Sequence, residues 1–450
     1  AADLTFTYTA SVVTGTADGQ VLNVSNLTGG SFTADGTENM TINSSLAKST
    51  LTAAASNALK TVTITGDQNL TISNALDFAS NGTASSAGVA AVAGAVVDAS
   101  AFTGNLTMTT TASEIFDIKG GSGADTFNLA SLTKDDKVDG GAGDDTALIT
   151  VHDAAGGALK MSTLQLSNVE NFSVEATNNK ETSINADGTT VTNIILVEND
   201  TTSENAAITN LAAGTSVTIN NNVNGQDAGV MTLSLKDPAG SADALTVNLN
   251  GTSGQGAEVT ESIVTADIET INLVSGSVGA TAMLTTDTNT LTNMNVGLGT
   301  SLNISGGANL TFTNAITGTK LTTIDASGLT GKLSIVGAAT DVALTGGAAA
   351  DTLTMGTTLT AKDTIDGGAG ADTLTAEMNA VGTADTYAAL SVANVETVSL
   401  QTVTAASFLD MTGVTGMTTL NIGDKQASAG VASTISNLSS GTKVGLGGLA

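Results

Sequence analysis

The sequence predicts an all-β chain of short strands stacked as a β-solenoid and duplicated internally. Three observations carry that expectation. Short runs alternate polar and apolar residues with period two, the mark of a strand with one buried face. The residues that fill them are small or β-branched, which suits a thin, regular core rather than a thick one. Long stretches recur 226 or 227 residues further on, and such self-similarity signals repeat architecture.

Taken in chain order, the first strand signal is Glu38-Asn-Met40-Thr-Ile42. The same unit, Glu followed by alternating apolar residues, returns at Glu170-Asn-Phe172-Ser-Val174, Glu269-Thr-Ile271-Asn-Leu273 and Glu396-Thr-Val398-Ser-Leu400. Thr61–Ile64, Ser216–Ile219 and Leu245–Leu249 alternate likewise, with Asn, Gly and Asp as punctuation. Helical periodicity is weak throughout.

VDASAFTGNLTM at 97–108 matches IDASGLTGKLSI at 324–335, LSNVENFSV at 166–174 matches SVANVETVSL at 391–400, and ITNLAAGTSV at 208–217 matches ISNLSSGTKV at 435–444. Upstream, ITGDQNLTISNAL at 64–76 matches ISGGANLTFTNAI at 304–316, but with an offset of 240. The first copy therefore carries 13 extra residues between Leu76 and Asp98. They include the Ala-rich stretch at 88–97, too short to cross a bilayer and expected to form a short helix or hairpin. Pro238, in KDPAGSADA, marks the expected seam, giving a first copy over 1–235 and a second over 236–450. A start without Met and an end inside a repeat read as a piece of a longer chain, and the first residues do not read as a signal peptide.

The chain has 450 residues, 42 acidic against 13 basic, and a net charge of −29; every basic residue is Lys. That balance argues against nucleic acid and against an anionic membrane surface. It suits hard divalent cations, which prefer carboxylate oxygens. With no Cys, disulfides and thiolate metal sites are impossible. A hydrophobic fraction of 41% argues against disorder.

The most specific signal is Gly-Gly-x-Gly-x-Asp. Residues 120–128 read GGSGADTFN and residues 140–148 read GGAGDDTAL. The glycines (Gly120, Gly121, Gly123; Gly140, Gly141, Gly143) allow positive φ in a tight turn and let carbonyls face a cation. Asp125 and Asp145 supply carboxylates, and the apolar residue two positions on, Phe127 or the small Ala147, starts a core-facing strand. Two such nonapeptides make one coil of about eighteen residues, so turns one coil apart stack. Between them 131–139 has lost its glycines but keeps Asp136 and Val138, with two extra residues before it. Asp125 and Asp145 are then expected to face each other across a gap suited to Ca²⁺, which tolerates flexible carbonyl-rich sites better than Mg²⁺ does.

The second copy repeats this over 346–375: GGAAADTLT with Gly346, Gly347 and Asp351, then a degenerate middle with Asp363, then GGAGADTLT with Gly367, Gly368, Gly370 and Asp372. Ala349 replaces the third Gly, so the Asp351–Asp372 site is expected to be strained and the weaker. Asp136 and Asp363 remain metal candidates but are expected to be solvated or to stand behind the ligands. One isolated motif in a chain with 51 Gly could be a plain turn; two spaced pairs repeated across the duplication point to calcium.

Enzymatic signals are weak. The single His, His152, beside Asp153, excludes a multi-histidine metal site and has no nucleophile elbow to serve, so an exposed strand end is expected. Gly331-Lys332 lacks the upstream Gly of a P-loop. Asp135/Asp136 and Asp144/Asp145 imitate a glycosidase couple but fall in or beside the cation turns. The reading is therefore of a chain that is not an enzyme.

The paired turns resemble the calcium-binding repeats of RTX secreted bacterial proteins, with their parallel β-roll. The Thr/Ala/Gly/Asn/Val bias, the lack of Cys and Arg, and the [VI]-E-x-U-x-U strands look like surface-layer proteins of Gram-negative bacteria. The resemblance implies secretion in one step by a type I apparatus, folding when calcium is met outside the cell, and calcium-dependent assembly with copies of itself into a two-dimensional lattice on the cell surface. It implies anchoring to surface polysaccharide through a region outside this segment, and neither nucleic-acid binding nor membrane insertion. The clusters here are shorter than in many members of that class. An RTX-type adhesin or biofilm matrix protein is the alternative.

Overall fold

The computed structural model describes residues 3–447, apart from 77, 81, 87–88, 112–113, 152–158, 162–164, 177–181, 199–204, 222–228, 241, 253–255, 279–286, 339, 379–385, 388–389, 403–407 and 425–433. The described residues form strands and turns with no helix. By contacts the chain divides into two compact units, Ala1–Val197 with Thr209–Thr215, and Glu198–Ile208 with Ser216–Ala450.

Each unit is a β-solenoid, because successive strands alternate between two sheets and pair in parallel one coil on. In the first unit, Gly19–Val24, Asn39–Ser44, Thr61–Gly66, Ala95–Phe102, Phe116–Lys119, Lys137–Asp139 and Leu166–Ser167 lie side by side. Ser49–Leu51, Leu70–Ile72, Leu106–Thr109, Thr126–Leu129, Thr146–Val151 and Asn171–Ala176 form the facing row. In the second unit one row runs through Ala244–Thr252, Thr270–Val278, Ser301–Gly306, Thr323–Leu329, Ala343–Thr345, Thr364–Asp366 and Ser391–Ala393. The other includes Asn309–Phe312, Leu333–Val336, Thr352–Gly356, Thr373–Met378, Thr397–Thr402 and Thr419–Asp424.

Register turns the period-two pattern into ladders. Ile271, Leu302, Ile324, Leu344, Ile365 and Val392 occupy equivalent places in six consecutive coils, all buried. Burying each such side chain contributes roughly 1.5–3 kcal/mol. On the solvated face asparagines stack instead, Asn43 on Asn23 and Asn250 on Asn220 at 3.0 Å, Asn303 on Asn272 and Asn314 on Asn293 at 2.9 Å.

Ala147, the small residue at the apolar place of the second turn, lies in register between Phe127 and Phe172, and all three are fully buried. Two phenyl rings flanking it leave room for little more than a methyl group. The alignment of VDASAF with IDASGL also has a physical basis: Ala95–Phe102 and Thr323–Leu329 each carry a bulge at Asp-Ala-Ser, where Asp98 and Asp325 accept the amides of Ser100 and Ser327.

The insertion after Leu76 forms a small antiparallel hairpin, with bridges Thr83–Val92 and Ser86–Val89. Ser85 ties it to Asp135 through both its amide and its hydroxyl. Most coils are longer than the eighteen residues of an ideal nonapeptide pair. They run from eighteen, between Ser334 and Thr352, to thirty-six, between Leu70 and Leu106.

Candidate metal centre

Strand Phe116–Lys119 ends at Gly120, and strand Lys137–Asp139 ends at Gly140. Asp117 pairs with Lys137 before the turns and Thr126 with Thr146 after them, so the two turns lie one above the other. The second unit does the same: Ala343 pairs with Thr364 before its turns and Thr352 with Thr373 after them.

The need for glycine is mainly one of space. A Cβ on Gly140 would lie 1.9 Å from the carbonyl oxygen of Asn168 in the next coil, a separation no side chain can adopt. Positive φ occurs at Gly141 (93°) and Gly143 (138°) but not at Gly120, Gly121 or Gly123. The expectation of strain at Ala349 is therefore corrected: Ala349 has no positive φ, and its turn keeps the hydrogen bonds of the first copy.

Those bonds define an acidic column. Oδ1 of Asp125 accepts the amide of Leu106 at 2.8 Å, and Oδ2 that of Gly121 at 2.8 Å. The amide of Asp125 in turn donates to Oδ1 of Asp145 at 2.7 Å. In the second unit Asp351 accepts from Leu333 at 2.8 Å and Gly347 at 2.6 Å, and donates to Asp372 at 2.7 Å. Asp125 and Asp145 are thus stacked one coil apart, but an amide of one fills the space toward the other.

Asp136 and Asp363 are not solvated; both are buried, at 0% and 1% exposure. Asp136 accepts the amide of Phe116 at 3.1 Å and that of Thr133 at 2.6 Å, and Asp363 accepts those of Val342 and Thr360 at 2.8 and 2.6 Å. Each closes its own turn and pins the coil before it. His152 and Asp153 lie outside the described residues.

The column continues into a residue type that strand reading alone left unassigned. Oε2 of Glu170 accepts the amide of Asp145 at 2.8 Å, and Oε2 of Glu396 accepts that of Asp372 at 2.8 Å. The same bond joins Asp18 to Glu38 at 2.9 Å and Asp243 to Glu269 at 3.1 Å. All four glutamates that open the recurring strand unit therefore cap an aspartate one coil earlier. The signal was the recurrence of Glu at the first place of that unit, with an Asp 20 to 26 residues upstream each time.

One oxygen at each stack is left over. Oδ2 of Asp145 and Oδ2 of Asp372 are buried and accept no hydrogen bond, and the residues are 0% and 1% exposed. Each packs closely on a glycine: a Cβ on Gly140 would come within 2.6 Å of Asp145 Oδ2, and one on Gly367 within 2.8 Å of Asp372 Oδ2. Burial pushes Asp125, Asp136, Asp351 and Asp372 up from the usual carboxylate range. Asp145 is pushed up to about 6, by burial first and then by the nearby charges of Asp125, Glu170 and Asp144. Lys134 pairs with Asp135 and Lys362 with Asp341; among the described residues no lysine pairs with the buried aspartates of the turns.

This donor set fits a hard divalent cation at Asp145 and Asp372: a buried carboxylate oxygen without a partner and acidic neighbours. Among the described residues no three acidic or imidazole side chains converge on one point, so an ion there would draw further ligands from carbonyl oxygens and water. In comparisons with known proteins, no family model matches the chain, and no curated protein is significantly similar to it.

Proposed function

We propose that this chain is a structural protein of the surface-layer type, secreted, stabilised by calcium, and assembling with copies of itself into a two-dimensional lattice on the outer cell surface. The observation that carries the reading is the leftover buried oxygen of Asp145 and of Asp372, within acidic stacks that no lysine among the described residues neutralises. A divalent cation at each would supply the missing charge. Asp145, Asp372 and the Gly-Gly backbone around them would hold it.

Two further features support the reading. The chain has no Cys to cross-link an extracellular solenoid, so bound metal is an available source of stability. Its charge of −29 would also make closely packed copies repel each other unless cations lie between them.

The test removes calcium from the purified chain and returns it, with far-UV circular dichroism and negative-stain electron microscopy on the same samples. Strand signal and ordered sheets that both return with calcium uphold the proposal. Strand signal without any array favours the adhesin or matrix reading. Indifference of both to calcium would sink the calcium role.

A further inference from the structure

The two aspartates of each turn pair are not equivalent. Asp125 and Asp351 have both oxygens taken by backbone amides. Asp145 and Asp372 have one oxygen taken by the aspartate amide of the coil before and one buried oxygen without a partner. On the far side of each stands a glutamate whose Oε2 accepts that aspartate's own amide.

We propose that the ion at each turn pair is held between the second aspartate and the glutamate of the following coil, Asp145 with Glu170 and Asp372 with Glu396, and not between the two aspartates. This rests on the calcium reading above and assigns its ligands. A carboxylate with an amide on each oxygen, as in Asp125 and Asp351, keeps only one lone pair on each and is a poorer cation ligand than one with a whole oxygen free. Asp145 and Asp372 have a buried oxygen to give. Glu170 and Glu396 each have one oxygen engaged by an amide, and no described residue donates to the other.

Each oxygen of Asp125 already accepts an amide, so the acidic oxygens without a partner lie on Asp145 and on the glutamate side. An ion there would tie the coil of the second Gly-Gly turn to the coil after it, not to the coil before.

The experiment measures calcium binding to the 450-residue chain by equilibrium dialysis with radioactive calcium. Gln in place of Glu keeps an oxygen to accept the aspartate amide while removing the charge. Glu170→Gln and Glu396→Gln are each expected to weaken one site by about tenfold or more, and the double variant to weaken both. Asp125→Asn and Asp351→Asn are expected to weaken binding less. If the Gln variants bind as the parent does while Asp125→Asn loses an ion, the ion sits within the aspartate pair; this inference falls and the calcium reading stands. If the parent chain binds no calcium at millimolar concentration, the calcium reading itself fails.

A second measurement does not depend on any variant folding. Anomalous scattering from calcium-loaded crystals of the parent chain should place a peak about 2.3–2.6 Å from Asp145 Oδ2 and from an oxygen of Glu170. A peak bridging Asp125 and Asp145, out of reach of Glu170, would overturn the assignment.

Discussion

The backbone amide of Asp125 donates to Oδ1 of Asp145 across one coil at 2.7 Å, and Asp351 does the same to Asp372 at 2.7 Å. A side chain of one coil thus does for the coil before it what a capping residue does for a helix end. It satisfies an amide that the sheet ladder, interrupted at the turn, leaves over.

Asp125 should consequently tolerate no amide in its place. Both its oxygens accept N–H groups, so Asp125→Asn sets an NH₂ group against the amide of Leu106 or of Gly121. The expected cost is about 1–3 kcal/mol of local stability, with or without calcium. Hydrogen exchange at the amides of Leu106 and Gly121 reads it; unchanged protection would show that those bonds contribute nothing.

Without calcium, stability should fall as pH rises from about 4 to beyond 6. A carboxyl whose folded pKa lies above its unfolded value stabilises the fold most below the unfolded pKa, and that contribution is lost as pH climbs through the folded one. Asp145 is raised to about 6, and Asp125, Asp136, Asp351 and Asp372 are raised with it. The groups shifted down are Asp98, Asp135 and Asp410, held by hydrogen bonds from Ser100, Lys134 and Asn437, and none of them is fully buried. Melting temperatures in calcium-free buffer between pH 4 and 7 check the sign, and a rise across that range contradicts it.

Gly140→Ala and Gly214→Ala separate crowding from conformation. The first has no positive φ, but its new methyl would meet the Asn168 carbonyl at 1.9 Å. The second has a φ of +84° and nothing within 4 Å. Gly140→Ala is expected to cost about 3 kcal/mol, the upper end of the usual overpacking range. Gly214→Ala should cost about 1–2 kcal/mol, the strain of a left-handed alanine. Chemical denaturation of both variants tests the order.

Ala147→Leu restores the large apolar residue that the nonapeptide pattern asks for, and should nevertheless destabilise. Phe127 and Phe172 occupy the coils on either side in register, so added methylenes have nowhere to go. A loss of about 1–3 kcal/mol is expected. A more stable variant would mean that the two rings do not close the space.

What could be read from the sequence followed from side chains facing one way. Thr61-Val-Thr-Ile64 alternates because Val62 and Ile64 enter the core while the threonines do not, and the letters record that. The spacing of Gly120 and Gly140 gave the stacking of the turns for the same reason. The partners of the acidic residues could not be read, because they are backbone amides of other coils and no letter marks an amide. Asp136 looked solvated in the sequence since no acidic motif stacks on it, yet Phe116 and Thr133 enclose it. Glu170 was visible as a strand start, and its role depends on Asp145, twenty-five residues earlier.

Register also sets how the chain can reach this fold. Every described parallel pair joins residues of neighbouring coils, such as Asn39 with Thr61, Thr270 with Ser301 and Thr397 with Thr419. The longest separation among the described pairs is the thirty-six residues between Leu70 and Leu106, in a chain of 450. Loop closure grows costly only as the logarithm of length, and here it never approaches the length of the chain. Growth can begin at any formed coil and advance one winding at a time, each finished edge serving as the template for the next.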